Sequence, residues 1–204
     1  LLRRASALPA AYQVTDVPRR LRESVSLTPT DALRADSLLA TNSTYTVTSS
    51  VPDPSPAVLR EAGTEYPATL RDRYTALPDS LPDRVSRFTA NLTANATSPY
   101  ETAATIERWL EANKNYSLDA SHGSGDVTAQ FLFEMDRGYC EYFASAMTVM
   151  LRSQGIPARY TVGYSTGQSV EGNQYLVRGM NAHAWVEVYF PEEGWVQFDP
   201  TPGR

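Results

Sequence analysis

The sequence has little of the chemistry that builds disulfide-rich, metal-binding or nucleic acid-binding proteins. It contains one cysteine, Cys140, and two histidines among 204 residues. A lone cysteine cannot form an internal disulfide, which on its own favours a reducing compartment. No apolar run approaches the roughly 20 residues needed to cross a bilayer. Lys/Arg-rich runs are missing and the net charge is -5, so we expect no nucleic acid partner.

What is present is an ordinary globular composition. Hydrophobic residues make up 42% of the chain and charged residues 20%, which is typical of a folded globular protein. The length allows one sizeable domain, alone or with an N-terminal extension. The chain begins at Leu1 without a signal-peptide pattern, which indicates a processed product or an excised part of a longer protein.

Asn-X-Ser/Thr sequons are numerous. Four of the seven asparagines open one: Asn42, Asn91, Asn95 and Asn115. Because Ser and Thr make up about a fifth of the chain, one or two such matches arise by chance. The other interpretation is a domain outside the cell, where glycan acceptors are tolerated on surface loops. The four sequons favour this second interpretation.

Pro and Gly divide the chain into a polar N-terminal stretch, a helical part and a final sheet. The first 43 residues predict an extension of unclear structure, followed by a strand at 44–51 and a break at 52–56. Apolar spacing and caps predict helices within 56–63, 67–77, 79–92, 98–113, 126–135 and 140–155. Strands are predicted at 158–164, 174–178, 183–190 and 195–200, with loops at 121–125 and 165–173. This order indicates an α+β domain over residues 44–204, helical over about 56–154 and a sheet over about 158–200.

The last two strands predict a contact between His183 and Asp199. In residues 183–190 the even positions are apolar and should face the core, so His183 and Trp185 share the other face. A hairpin closed by a three-residue loop after Phe190 places Asp199 opposite Trp185, one diagonal step from His183. An imidazole and a carboxylate are therefore expected within side-chain reach of each other.

Cys140 opens the predicted helix over 140–155, directly after a glycine and a tyrosine. A thiolate rather than a thiol attacks a carbonyl, and both a helix N-terminus and a nearby imidazolium favour the thiolate. A carboxylate fixes the tautomer of the imidazole and stabilises its positive charge. The backbone N–H of Cys140 is in a position to bind an oxyanion. Cys140, His183 and Asp199 therefore form a candidate Cys-His-Asp triad.

Each of these residues also has a structural interpretation, which the spacing leaves open. Cysteine is often a small buried hydrophobe, histidine a hydrogen-bonded core or surface group, and aspartate before proline a turn starter. A zinc site is less favoured because no CxxC, HxxxH or other closely spaced ligand pair is present. A redox-sensing thiol is less favoured because no second cysteine exists to resolve a sulfenic acid. His122, in the 121–125 loop, is expected to be solvent-exposed.

Three ordered segments resemble the core motifs of the transglutaminase-like superfamily. They read GYCEYFASAMTVMLRSQGIPARYTVGY, NAHAWVEVYF and GWVQFDPTP, and the similarity is dense from Asp126 to Pro202. A looser similarity extends back to Thr44, and residues 1–43 are not covered. The sequence is most similar to the bacterial and archaeal TgpA family, in which the domain lies outside a multi-spanning membrane protein.

The resemblance implies a papain-like α+β fold, with the nucleophile at the start of a central helix packed on an antiparallel sheet. The catalytic cysteine, histidine and acid of the family fall on Cys140, His183 and Asp199. Tyr139 stands where animal transglutaminases have a glutamine. The second oxyanion donor is therefore open, with Gln130 and the Tyr139 hydroxyl as candidates.

The same resemblance suggests which residues surround the triad. Trp185 and Glu187 fit the strand motif of the family and are expected to be structural or pocket-lining. An aromatic wall that keeps water from a thioester is expected from Tyr139, Tyr164, Trp185 and Trp195. The sequence has no acidic loop of the EF-hand kind, so no calcium activation and no other cofactor is implied.

The activity implied by the resemblance is cysteine-dependent acyl transfer at amide bonds through a thioester, which is passed to water or to an amine. The implied partners are a protein or peptide substrate carrying an amide and, for transfer, an amine acceptor. An extracytoplasmic location is implied as well, with the N-terminal LLRR just after a transmembrane helix of the parent protein. The alternative function is a non-catalytic module of the same fold that binds a cell-surface protein or polymer.

Overall fold

The computed structural model describes residues 5–19, 24–28, 32–172 and 174–203. The chain forms two compact units, Leu1–Pro52 and Asp53–Arg204. The boundary lies at residue 52 rather than at the predicted 43, because Thr48–Ser50 pairs with Gln13–Asp16 and so belongs to the first unit. The LLRR segment, and with it the prediction of a preceding membrane helix, lies outside the described residues. No helix within those residues is long and apolar enough to cross a membrane.

The first unit is built from short antiparallel strands. They are β1 (Ala5–Ala7), β2 (Gln13–Asp16), β3 (Val25–Leu27), β4 (Leu33–Leu39) and β5 (Thr48–Ser50). One sheet has the order β1-β4-β3, and β2 pairs with β5. Its small core is formed by Leu8, Val14, Leu33 and Ala35. The strand predicted at 44–51 is present over Thr48–Ser50. The other strands of this unit were not predicted, since short strands with register shifts carry little alternation.

Each predicted helical segment contains a helix of the second unit. The helices are α1 (Pro56–Glu61), α2 (Ala68–Tyr74), α3 (Asp83–Leu92), α4 (Pro99–Asn113), α5 (Val127–Phe133) and α6 (Cys140–Ser153). Asp126 caps α5, because its Oδ1 accepts the N–H of Ala129 at 2.8 Å. The chain leaves α6 through Gly155, whose φ of 73° is a left-handed value that glycine adopts without strain.

The main sheet of the second unit is antiparallel, which confirms the α+β prediction. The described strands of the second unit are β6 (Asn115–Tyr116), β7 (Arg137–Gly138), β8 (Ala158–Tyr164), β9 (Gln168–Val170), β10 (Gln174–Leu176), β11 (Ala182–Phe190) and β12 (Gly194–Phe198). The order in the main sheet is β8-β11-β12, while β6 pairs with β7 in parallel. β9 and β10 form a separate hairpin. The prediction that residues 165–173 form only a loop is wrong, since β9 lies within them. The sequence pattern does not reveal this strand because it is exposed throughout and shows no buried alternation.

The helix α6 lies at the centre of the core, packed against β8 and β11. Its apolar face is fully buried and consists of Phe143, Met147, Met150 and Leu151, as predicted. Ile106 and Leu110 of α4 join the same core. On β11 the even positions Val186, Val188 and Phe190 are fully buried. The predicted core-facing side of this strand is therefore confirmed.

The hairpin of β11 and β12 has the register that alternation predicted. Phe190 pairs with Gly194 across a three-residue turn, and Val186 pairs with Phe198. Continuing this register by one residue puts Asp199 opposite Trp185. The end of β12 and the start of β11 are thereby brought side by side.

Candidate active site

The thiol of Cys140 lies at the first position of α6. Cys140 is a free, half-buried cysteine, and Tyr139 before it is extended and gives the helix no side-chain cap. The first N–H groups of a helix have no intrahelical acceptor. This end of α6 therefore combines a thiol with backbone donors and the positive end of the helix dipole.

The backbone that leads to Cys140 passes very close to two helices. At Gly138 a Cβ atom would lie 2.7 Å from Phe131 of α5 and 2.8 Å from Tyr142 of α6. Contacts this short do not fit a side chain. The glycine two residues before Cys140 therefore allows α5 and α6 to pack closely at the point where the thiol is presented.

The imidazole of His183 is hydrogen bonded to the carboxylate of Asp199, as the strand alternation predicted. His183 is 7% exposed on β11, opposite Gly163 of β8. Its Nε2 is 2.7 Å from Oδ2 of Asp199. A carboxylate accepts, so Nε2 carries the proton and Nδ1 is the basic nitrogen of the neutral ring.

The second ring nitrogen of His183 is buried and unpaired. Nδ1 has no hydrogen-bond partner among the residues that the structure describes. Buried polar atoms are normally paired, and an exception calls for a functional reason. A basic nitrogen held in place by a carboxylate through the opposite ring atom is suited to take up a proton. No cluster of three or more His, Cys, Asp or Glu side chains within the described ranges could hold a metal ion.

Three hydrogen bonds hold Asp199 in place. Besides the bond to His183, its Oδ1 accepts the N–H of Thr201 at 3.2 Å. Its own N–H donates to Oε1 of Glu107 on α4 at 2.9 Å. Sequence reasoning did not single out Glu107, because it lies 92 positions from Asp199 and helical spacing gives no signal for such a contact.

Glu107 titrates near neutral pH. Burial raises the pKa of its carboxyl group to about 7, the hydrogen bond from Asp199 opposes this rise, and the charges of Glu111 and Asp199 add to it. A proton-binding group therefore lies directly behind the backbone of the residue that holds the imidazole.

The indole of Trp185 lies beside the imidazole. The ring centroids of His183 and Trp185 are 6.4 Å apart with planes inclined by 25°. A Cβ atom at Gly163 would be 2.6 Å from the indole, so glycine makes room for it. Trp185 Nε1 donates to Glu187 at 3.4 Å, and Glu187 is buried and paired with Arg159 at 2.5 Å. The expectation of a structural or pocket-lining pair fits this arrangement.

Two tyrosines lie next to the start of α6. The ring of Tyr139 packs edge-on against Tyr142 with centroids 4.8 Å apart, and burial raises the pKa of Tyr139. Burial also raises the pKa of Tyr160 to about 12, and the negative charges of Glu141 and Cys140 add to the rise. Tyr160 is opposite Val186 of β11 and therefore lies on the side of the sheet against which α6 packs.

The predicted aromatic wall is incomplete. Tyr164 lies at the end of β8 and is 49% exposed. Trp195 packs against Tyr74 with ring centroids 4.7 Å apart and pairs with Tyr189. Tyr189 is six residues along β11 from His183, about 20 Å at the usual rise per residue. The inclusion of Trp195 in the wall was wrong, because sequence alternation gives a shared face but not the distance along it.

Gln130 supports a loop rather than the site. Its Oε1 accepts the N–H of Gly123 at 2.7 Å, and its Nε2 donates to the carbonyl of Ser124 at 2.6 Å. The amide is engaged at both ends, which favours a role in holding this loop over that of an oxyanion donor, while its place in the pocket stays a prediction. His122, in the same loop, is exposed as expected.

Comparison with known proteins identifies the family of this chain. The family model described as transglutaminase-like superfamily matches residues 86–200. The protein YebA of Bacillus subtilis (strain 168) is 42% identical over 128 residues, which are 58% of this chain and 17% of that protein. A protein-glutamine gamma-glutamyltransferase of Pseudomonas aeruginosa is 41% identical over 100 residues, 48% of this chain and 15% of that protein. The chain thus spans less than a fifth of the length of these two relatives.

Among solved structures, the periplasmic domain of TgpA from Pseudomonas aeruginosa superposes with a TM-score of 0.73 at 29% identity. The match covers 88% of this chain and 60% of that one. The fold is the papain-like α+β fold, and proteins of this superfamily are generally cysteine-dependent acyltransferases or proteases. With a family match over more than half of its length, the chain belongs to the transglutaminase-like superfamily.

Proposed function

We propose that this chain catalyses acyl transfer at amide bonds through a thioester on Cys140. The observation that carries the proposal is the 2.7 Å hydrogen bond between His183 Nε2 and Asp199, which leaves Nδ1 buried and without a partner among the described residues. The relative named as a protein-glutamine gamma-glutamyltransferase supports a glutamine carboxamide of a protein or peptide as the amide.

In the first half of the reaction, Nδ1 of His183 takes the proton of the Cys140 thiol and Sγ attacks the carboxamide carbon. The negative charge on the amide oxygen is stabilised by the backbone N–H of Cys140. The imidazolium, stabilised by Asp199, then gives its proton to the leaving nitrogen. The C–N bond breaks, ammonia departs, and the acyl group remains on sulfur as a thioester.

The second half decides between transfer and hydrolysis. A primary amine attacks the thioester to give a new amide, or water attacks to give a carboxylate. In both cases Nδ1 takes a proton from the incoming nucleophile and returns it to the sulfur. The indole of Trp185 lies beside the imidazole, with ring centroids 6.4 Å apart, which supports transfer by limiting access of water to this side of the site.

Glu107 and Thr201 act as positioning residues in this proposal. Each holds Asp199 through one hydrogen bond, and Asp199 in turn orients the imidazole. Neither touches the reacting atoms. Their effect on catalysis is therefore indirect, through the geometry of the His183–Asp199 pair.

We further propose that the domain works outside the cytoplasmic membrane, as the periplasmic domain of TgpA does. Glycosylation is a separate prediction, and its four candidates Asn42, Asn91, Asn95 and Asn115 are all exposed. The hydroxyl of Thr93 in the second sequon is buried and donates to the carbonyl of Thr89 at 2.9 Å. Asn91 is therefore the least suited of the four after folding.

The test of the triad is the rate at which iodoacetamide alkylates Cys140. We expect the wild-type protein to react at pH 7 at least about tenfold faster than His183→Ala, because the imidazole takes up the thiol proton. Asp199→Asn should lie between the two. Equal rates in all three proteins would contradict the triad and leave the non-catalytic binding module as the better function.

Transfer and hydrolysis are separated by incubating the protein with a glutamine-containing protein and a labelled primary amine. Incorporation of the label, absent with Cys140→Ala, is the expected result. Ammonia release without incorporation would exclude transfer and leave hydrolysis. If Cys140 is reactive but neither labelled protein nor ammonia is formed, the substrate is a different amide.

A further inference from the structure

The strand β8 has one paired edge and one open edge. It pairs with β11 from Ala158 to Tyr164 without a register shift. On its other side no strand within the described residues pairs with it. β8 is thus an edge strand of the main sheet, with the carbonyl and amide groups of alternate residues directed outward.

Two hydrogen bonds that flank β8 identify the outward residues. The N–H of Tyr189 donates to the carbonyl of Pro157 at 3.0 Å, and the N–H of Ser165 donates to the carbonyl of Asn181 at 2.9 Å. In an antiparallel ladder, hydrogen-bonded pairs alternate with pairs whose polar groups point away. Odd residues of β8 therefore bond to β11, and the backbone groups of Tyr160 and Val162 point to the open edge.

The open edge lacks the features that usually protect an edge strand. Proteins block such edges with prolines, bulges or charged side chains. Here the residues with outward backbone groups are apolar, and Tyr160, Val162 and Tyr164 are 38%, 65% and 49% exposed. The carbonyl of Ala158 at the end of the edge is already bound by Arg152, so the accessible part begins at Tyr160.

This accessible part of the edge runs beside the candidate nucleophile. Tyr160 is opposite Val186, on the core-facing side of the sheet against which α6 packs, and the charges of Cys140 and Glu141 contribute to its raised pKa. One strand further in, His183 is opposite Gly163. A polypeptide paired to the edge at Tyr160 and Val162 would therefore pass the start of α6.

We propose that the substrate binds as an extended polypeptide segment that adds a strand to the open edge of β8. Its backbone pairs with the amide and carbonyl groups of Tyr160 and Val162, and its alternate apolar side chains lie on Tyr160, Val162 and Tyr164. That Cys140 receives a glutamine side chain from this segment rests on the proposed function. The occupant is an unfolded or strand-forming stretch of a protein, because only an extended backbone matches these donors and acceptors.

The backbone contact is tested with Val162→Pro and its matched control Val162→Ala. Proline removes the outward N–H without removing a bond to β11, and alanine removes the same apolar surface but keeps the N–H. For each protein, kcat/KM is measured with two substrates. One is a nine-residue peptide with a central glutamine between valines and threonines, and the other is N-acetylglutaminamide. The quantity compared is the ratio of the first kcat/KM to the second. We expect this ratio to be about five- to tenfold lower in Val162→Pro than in Val162→Ala, the effect of one hydrogen bond. An equal ratio would overturn the proposal.

A binding measurement tests the same contact without the reaction. Cys140→Ala is titrated with two versions of the peptide. Alternate residues of an extended peptide direct their N–H groups to opposite edges, and each version is N-methylated on the residues whose N–H groups point to one of the two edges. Pairing with β8 uses one edge of the peptide, so one version should bind at least about tenfold more weakly than the other. Equal binding of both versions, or no binding of the unmethylated peptide, would overturn the proposal.

The two proposals fail separately. Edge-selective binding by Cys140→Ala together with no turnover by the wild type would reject acyl transfer and retain strand addition. Turnover of both substrates with an unchanged ratio would retain acyl transfer and reject strand addition. The N-methylated peptides decide the question even if Val162→Pro fails to fold.

Discussion

At the scale of single residues, the candidate site depends on how firmly Asp199 is held. Both carboxylate oxygens and the backbone N–H of Asp199 are engaged, by His183, Thr201 and Glu107. The engagement leaves the carboxylate one orientation relative to the imidazole. Burial raises the pKa of Glu107 to about 7, so its hydrogen bond with the backbone of Asp199 links the site to pH.

Replacement of Glu107 by glutamine should change how stability depends on pH. Burial raises the pKa of Glu107 from 4.5 to about 7 in the folded state, so the folded protein holds this proton more tightly than the unfolded chain. The associated stability is present below pH 4.5 and is lost as the pH rises through 7. Glu107→Gln keeps an acceptor for Asp199 and never ionises. We expect its free energy of unfolding in urea to gain on that of the wild type by on the order of 2–3 kcal/mol between pH 5 and pH 8.

The matched control is Glu65→Gln, an exposed glutamate outside α4 that is not one of the charges acting on Glu107. Its unfolding free energy should follow that of the wild type across the same pH range. A difference between Glu107→Gln and wild type that stays constant from pH 5 to pH 8 would show that Glu107 is ionised in both states.

At the scale of elements, the features that could be predicted from the sequence are those determined by residues close together in the chain. The cap of α5, the glycine after α6 and the alternation of β11 are each visible within a few residues. The His183–Asp199 contact could be predicted because one short turn carries the register from β11 to β12. The bond between Glu107 and Asp199 joins distant elements, and no local pattern encodes it. The same holds for Gln130, whose amide gives no periodic signal for the loop it binds.

Gly138→Ala tests the close packing of α5 and α6 beside the thiol. The added Cβ would lie under 3 Å from both Phe131 and Tyr142, so the two helices must move apart. We expect the free energy of unfolding to fall by about 1–3 kcal/mol, measured by urea denaturation. Gly179→Ala is the control, since a Cβ there meets no atom within 4 Å. An equal effect of both substitutions would mean that the backbone at Gly138 shifts without cost.

At the scale of the whole molecule, the two units have separate cores. The core of the second unit is drawn entirely from residues between Leu59 and Phe198. Within the part of the first unit that the structure describes, a smaller core of its own includes Leu8 and Leu33. The candidate site is built wholly from the second unit, since Glu107, Cys140, His183 and Asp199 all follow Asp53.

Residues 53–204 produced alone should therefore fold and keep the site. We expect a thermal midpoint within about 4 °C of the corresponding transition in the full chain, equivalent to about 1 kcal/mol. The alkylation rate of Cys140 should agree within about twofold. A midpoint more than about 10 °C lower would mean that the second unit depends on the first for stability.

The single cysteine described at the outset separates the redox chemistry of this protein from its stability. No covalent cross-link contributes to either core, so a reductant strong enough to keep the thiol of Cys140 free leaves the fold intact. Any thiol-directed reagent, from a fluorophore to a heavy atom, marks one position per molecule, and that position is the start of α6. Oxidation of this thiol would stop the proposed acyl transfer while the scaffold around it stays folded, and a reductant would restore the thiol from the sulfenic acid or a mixed disulfide.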